Sequence, residues 1–100
     1  MLFRSHYKKR DVNHKEIRDG LRALGAVVWD TADLGGTALD LAVFWRGQVV
    51  VVEVKPPERK GRLTEREQRN LEVLKGVGIR AIVATSIEDV VKEFSTLKTA

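Results

Sequence analysis

The chain has no cysteine in its 100 residues, which excludes disulfide bonds, zinc–thiolate sites and thiol chemistry. It has no apolar run near the length of about 18 residues that a membrane span needs. Its basic N-terminus is not followed by the hydrophobic segment of a signal peptide. These absences predict a cytoplasmic protein with no membrane partner, and we expect no small-molecule cofactor.

The length allows one domain with a modest core, and the composition is that of an ordinary globular protein. We predict a basic N-terminal arm at 1–12, one domain at 13–95 and a tail at 96–100. The net charge of +4 favours a polyanionic partner. The arm would either follow a nucleic-acid backbone or be a solvated terminus. The candidate DNA-binding side chains are Lys8, Lys9, Arg10, Arg59, Lys60, Arg62 and Arg66.

Two apolar segments, LDLAVFW and VVVVEVK, flank a Gly-containing break at 46–47, which predicts a β-hairpin. A two-residue loop would place Trp45 opposite Gln48 and Asp40 opposite Glu53. Because side chains alternate between the faces of a strand, Asp40, Glu53 and Lys55 would then share one face. A slip of one residue would move Asp40 to the other face, so the prediction depends on this register.

Carboxylates placed opposite each other on paired strands repel and need a compensating positive charge. Lys55 supplies one such charge, and a divalent cation with oxygen ligands would supply more. A structural ion cluster or a pair on a solvated face would also explain Asp40 and Glu53. The valines around them indicate a strand covered on both sides, and this favours a metal site.

The segment before the hairpin predicts a helix followed by a strand. Asn13 is a suitable N-cap, apolar residues follow at helical spacing, and Gly25 ends the helix. Glu16 in its first turn would complement the helix dipole. His6 and His14 lack a third histidine at ligand spacing and are expected at the surface.

A loop with Gly35 and Gly36 precedes the hairpin. Its backbone would either approach a DNA phosphate or form only a tight turn. After the hairpin, Thr64 and Glu67 form a capping-box pattern that begins a second helix. Gln68 lies three residues before Leu71, which predicts that its amide faces the sheet and needs a partner.

A last strand and helix complete the order αβββαβα. The strand–helix–strand crossover predicts a strand parallel to its partner, and therefore an α/β fold with a mixed sheet between helices.

An Asp followed by Glu-x-Lys on the next strand resembles the PD-(D/E)xK nuclease superfamily. Over 13–94 the order of elements is similar to the VRR-NUC family, particularly its short stand-alone members, and to archaeal-type Holliday junction resolvases. Leu39 stands where the superfamily name has Pro. That Pro donates no chemistry, so the ligand positions are unaffected.

The resemblance implies a restriction-endonuclease-like (tRNA-endonuclease-like) core that holds one or two Mg²⁺ or Mn²⁺ ions. Asp40, Glu53 and the Val54 backbone carbonyl would be ligands, and Lys55 would orient the attacking water. Glu16 would assist a second metal or the water, and Gln68 would hold Lys55 or contact the phosphate.

The resemblance implies a Mg²⁺-dependent endonuclease of a prokaryotic or phage-infected cell. It would act on branched DNA, above all Holliday junctions in DNA recombination and repair, as a homodimer. Three alternatives remain: flap, duplex or RNA cleavage by the same fold, a junction-binding protein without turnover, and an interaction protein with a structural acidic pair.

Overall fold

In the computed structural model, residues 12–59 and 61–96 are described, and they form three α-helices and a four-stranded sheet. The helices are α1 (Val12–Ala23), α2 (Glu65–Gly76) and α3 (Ile87–Thr96), and the strands are β1 (Val27–Asp30), β2 (Leu41–Trp45), β3 (Gln48–Val54) and β4 (Arg80–Ala84). A short 3₁₀ helix, Pro57–Arg59, follows β3. Within the described ranges, no helix is long and apolar enough to cross a membrane.

The strands lie in the order β1-β2-β3-β4, and the sheet is mixed, as predicted. β1, β2 and β3 pair antiparallel, whereas β4 pairs parallel to β3 through the crossover that contains α2. The carboxyl ends of β1, β3 and β4 therefore meet the amino end of β2 at one end of the sheet. We call this the polar end, because the predicted site residues of the hairpin lie there.

The sheet buries a different core on each face. The larger core joins residues of α1, the sheet and α3, and the smaller one lies under α2. Alternation along β3 sends Val50, Val52 and Val54 into the larger core. Val51 packs against the smaller core, so the face that carries Glu53 is the α2 face of the sheet.

The hairpin between β2 and β3 has the predicted register, with Trp45 opposite Gln48 and Leu41 opposite Val52. Arg46 and Gly47 both adopt positive φ, at 54° and 73°. A two-residue loop with two positive φ angles matches the twist of antiparallel strands and fixes their register. The turn therefore determines which face Glu53 occupies.

Helix α1 differs from the prediction at its start. It begins at Val12, so Asn13 lies inside it and is not an N-cap. The Asn13 side-chain amide instead donates to the carbonyls of Lys55 and Thr85, both at 2.9 Å. These bonds fasten α1 to the ends of β3 and β4, at the polar end.

The expectation that His14 lies at the surface is wrong. Its side chain is 2% exposed, and its Nε2 lies 3.2 Å from Oδ2 of Asp30. The buried stripe of α1 is His14, Ile17 and Leu21, at helical spacing. That spacing in the sequence already indicated a buried His14.

Candidate active site

Asp40 and Glu53 form a buried pair of carboxylates at the polar end. Asp40 lies just before β2; its N–H donates to the Val52 carbonyl at 3.0 Å, and its Oδ2 accepts from the Val54 N–H at 2.8 Å. These two bonds lie on either side of Glu53 and place Asp40 opposite it. Asp40 is 6% exposed and Glu53 is 3% exposed. The predicted face and proximity of the pair are thus present in the fold.

Lys55 follows directly on the same face, and its ammonium is paired with a residue of α2. Its Nζ lies 2.8 Å from Oε1 of Glu67, with side-chain exposures of 12% and 18%. Burial raises the pKa of Glu67, but hydrogen bonds, chiefly those with Lys55 and the Thr64 amide, outweigh it and lower the pKa overall. Glu67 therefore stays ionised at neutral pH and pairs with Lys55.

Sequence reasoning recognised Glu67 only as a capping residue. The capping box is present: Thr64 Oγ1 accepts from the Glu67 N–H at 3.1 Å, and Glu67 Oε1 accepts from the Thr64 N–H at 2.9 Å. The signal for a further role was its spacing, because Glu67, Leu71 and Leu74 lie at i, i+4 and i+7 on the face toward the sheet. A charged residue on such a stripe requires a buried partner.

The predicted orientation of Gln68 is wrong. Its side chain is exposed and donates from Nε2 to Oε2 of Glu72 at 3.0 Å. Each residue turns a helix by about 100°, so Gln68 is rotated away from the stripe centred on Glu67 and Leu74. Glu67, and not Gln68, contacts Lys55.

The glycine loop before Asp40 is fastened to α2. The Gly36 carbonyl accepts from Arg66 Nη2 at 3.0 Å and from Asn70 Nδ2 at 3.1 Å. Asn70 is 6% exposed and is a second residue that the sequence did not single out. Gly35 and Gly36 both have positive φ, at 75° and 61°, which favours glycine at both positions. The loop, which precedes Asp40 by four residues in the sequence, is therefore held against α2.

Glu16 is not brought to the acidic pair. It is exposed on α1, on the side away from the buried stripe of His14, Ile17 and Leu21. It lines a shallow surface depression together with Lys15 and Asp19. The helix phase that buries His14 thus directs Glu16 toward solvent.

The remaining basic candidates fall into two groups. Arg59 and Arg62 are exposed on the segment that connects β3 to α2. The other candidates, Lys8, Lys9, Arg10 and Lys60, lie outside the described residues.

The donor set at the polar end fits a hard divalent cation. Asp40 and Glu53 supply carboxylate oxygens, and an ionised carboxylate has about four lone-pair sites, so Asp40 can accept from Val54 and also bind a cation. The N–H and C=O of one strand residue point toward the same neighbouring strand, so the Val54 carbonyl also faces Asp40.

Among residues 12–59 and 61–96, no group of three or more His, Cys, Asp or Glu side chains could hold a metal ion. The donors are therefore two carboxylates and one main-chain carbonyl. Mg²⁺ is commonly held by one or two carboxylates, with waters and substrate phosphates completing its shell.

These features define a class: a small α/β domain with a mixed sheet and a carboxylate–lysine site at one end of it. One solved structure with this fold is a "VRR_NUC domain"; it shares 26% identity with the chain, with a TM-score of 0.64 over 84% of this chain and 91% of that one. This similarity supports the VRR-NUC nuclease family. No family model matches the sequence, and no curated protein does.

Proposed function

We propose that this protein is a metal-dependent endonuclease that hydrolyses phosphodiester bonds in branched DNA, above all four-way junctions. The observation that carries the proposal is the buried Asp40–Glu53 pair, with Lys55 two residues after Glu53 on the same face of the sheet. The similarity to a VRR_NUC domain is independent support for a nuclease.

In this proposal Asp40, Glu53 and the Val54 carbonyl hold one or two Mg²⁺ or Mn²⁺ ions. A bound cation polarises the phosphate and lowers the pKa of a water. Lys55 donates to the attacking water and to the phosphoryl oxygens on which negative charge grows. The water oxygen forms a bond to phosphorus as the bond from phosphorus to the 3′ oxygen breaks. The proton passes to that oxygen, which leaves 5′-phosphate and 3′-hydroxyl ends.

The substrate is assigned from shape and charge. Arg59 and Arg62 are exposed close in sequence to Lys55 and would contact phosphates, which makes binding dependent on salt and independent of sequence. The glycine loop precedes Asp40 in the sequence, and its main chain can approach a phosphate without obstruction by a Cβ. Such contacts depend on the shape of the DNA backbone and not on the base sequence, as recognition of a junction requires.

A substrate panel tests this proposal. Labelled four-way junction, flap, linear duplex and RNA hairpin are incubated with the purified protein and Mg²⁺. We expect paired symmetric cuts in the junction and at least tenfold slower cleavage of the duplex. Cleavage of the flap, duplex or RNA instead of the junction would support the proposed reaction but contradict the proposed substrate. Binding of the junction without cleavage would favour the junction-binding alternative.

We also propose that the protein is a homodimer, since two sites are needed to cut opposed strands of a junction. Val27, Phe44 and Val49 lie opposite one another on the α2 face, and Trp29 shares that face. Trp29 is 60% exposed and contacts Phe44 with ring centroids 4.7 Å apart. An exposed apolar surface of this kind is typical of a protein interface.

Sedimentation equilibrium at micromolar concentration in physiological salt should therefore give roughly twice the chain mass of 11.3 kDa. Trp29→Ser should shift the equilibrium toward the monomer. A wild-type protein that sediments only as an 11.3 kDa species would contradict the dimer.

A further inference from the structure

The Lys55 main chain is restrained by its neighbours at the polar end. Its N–H donates to the Ala84 carbonyl at 3.0 Å. Its carbonyl accepts from Asn13, whose amide also bonds the Thr85 carbonyl. The backbone of Lys55 is thus fixed by β4 and α1. These main-chain bonds do not restrain the four-carbon side chain, and a lysine side chain is flexible unless its ammonium has a partner.

Glu67 supplies that partner from a restrained position of its own. Its Oε1 accepts both from the Thr64 N–H and from Lys55 Nζ. The capping box restrains both the main chain and the side chain of Glu67. The position of its carboxylate therefore does not depend on Lys55 alone. One residue of α2 therefore holds the ammonium of a proposed active-site side chain.

A cap alone does not account for these contacts. A capping glutamate needs only the N-cap amide, and it serves equally well on an exposed helix. Here the side chain is 18% exposed, and it lies on the face of α2 that packs against the sheet. Glu65, at the first position of the same helix, is exposed.

We infer that Glu67 is a positioning residue of the proposed nuclease site, which sets the Lys55 ammonium in its working position beside Glu53. The inference rests on the proposed function. Glu67 acts through Lys55 and touches neither substrate nor the scissile bond. Because a displacement of about 1 Å in a catalytic group can cost about 100-fold in rate, its loss should lower kcat by about 10- to 100-fold and leave KM within about twofold.

The test compares Glu67→Gln with one matched control, Glu65→Gln, in steady-state cleavage of the junction. Glutamine keeps an oxygen for the Thr64 amide, so this variant removes the charge opposite Lys55 and preserves the cap. Glu65→Gln removes the same charge from the same turn, and it should keep the wild-type kcat. Circular dichroism establishes that every variant is folded.

A double-mutant cycle tests whether Glu67 acts through Lys55. In a Lys55→Met background, Glu67→Gln should cause no further loss of kcat. Three results would each overturn the inference: an equal loss of kcat in both backgrounds, a rise in KM at unchanged kcat, or wild-type activity in Glu67→Gln. None of them would contradict the proposed nuclease function. A wild-type protein that cleaves no substrate with any metal would overturn the proposed function and this inference with it.

Discussion

Glu53→Gln and Asp40→Asn are each expected to lower the rate of DNA cleavage at least about 1,000-fold. Each replacement keeps the size of the side chain and removes a negative charge from the proposed metal site. Stabilisation by a bound metal is worth several kcal/mol, and each 1.36 kcal/mol corresponds to a factor of ten in rate. Single-turnover cleavage of the junction at saturating Mg²⁺ measures the effect.

The choice of asparagine at position 40 follows from the hydrogen bond to Val54. Asp40→Asn keeps an oxygen that can accept from the Val54 N–H, whereas Asp40→Ala leaves that buried donor unsatisfied. An unsatisfied buried donor costs about 1–3 kcal/mol, so the alanine variant should melt at a lower temperature than the asparagine variant. Affinity for the junction in EDTA should stay close to wild type in Glu53→Gln. Cleavage by either isosteric variant at more than a tenth of the wild-type rate would contradict the assignment.

Lys55→Met is the second change with a large expected effect, a fall in kcat of about 100- to 1,000-fold. Methionine keeps most of the apolar stem but removes the ammonium that would stabilise charge on the phosphoryl oxygens. It also leaves the Glu67 carboxylate without its cation, at a cost of about 1–3 kcal/mol in the free energy of unfolding.

The double variant Lys55→Met, Glu67→Gln separates these two effects. Removing both charges should recover stability in chemical denaturation without recovering activity. Lys55→Arg provides a further comparison, since it keeps the charge but changes its geometry. Activity of Lys55→Met near the wild-type level would mean that the lysine serves only to pair with Glu67.

The hairpin is the part of the fold that the sequence predicted best, and the reason is local. Arg46 and Gly47 make a two-residue turn, which leaves one favourable register for the two strands. Strand alternation then places Glu53 and Lys55 on one face without any knowledge of the rest of the chain. The mixed sheet followed in the same way from the crossover between β3 and β4.

The helical contributions were harder to predict, because they depend on the rotation of each helix about its axis. In α2 a shift of one residue separates Glu67, which contacts Lys55, from Gln68, which contacts Glu72 in solvent. In α1 the same uncertainty separates buried His14 from exposed Glu16. Tertiary packing determines how each helix is rotated about its axis. In the sequence, a polar residue on an apolar stripe was the one indication that Glu67 and His14 face the sheet.

Asn70 shows a different limit of sequence reasoning. Its amide bonds the Gly36 carbonyl at a separation of 34 residues. No local pattern indicates which carbonyl a buried amide will find, because the partner depends on how α2 packs over the loop. The glycine loop itself was visible in the sequence, but its attachment to α2 was not.

The central claim is that Asp40 and Glu53 hold a cation that this protein needs to cleave DNA. The most direct measurement is the cleavage rate of a labelled four-way junction by wild-type protein and Glu53→Gln, each with Mg²⁺ and with EDTA. Of these four reactions, we predict cleavage only by the wild-type protein with Mg²⁺, and no detectable product in the other three. Cleavage in EDTA, or by Glu53→Gln at the wild-type rate, would contradict the claim.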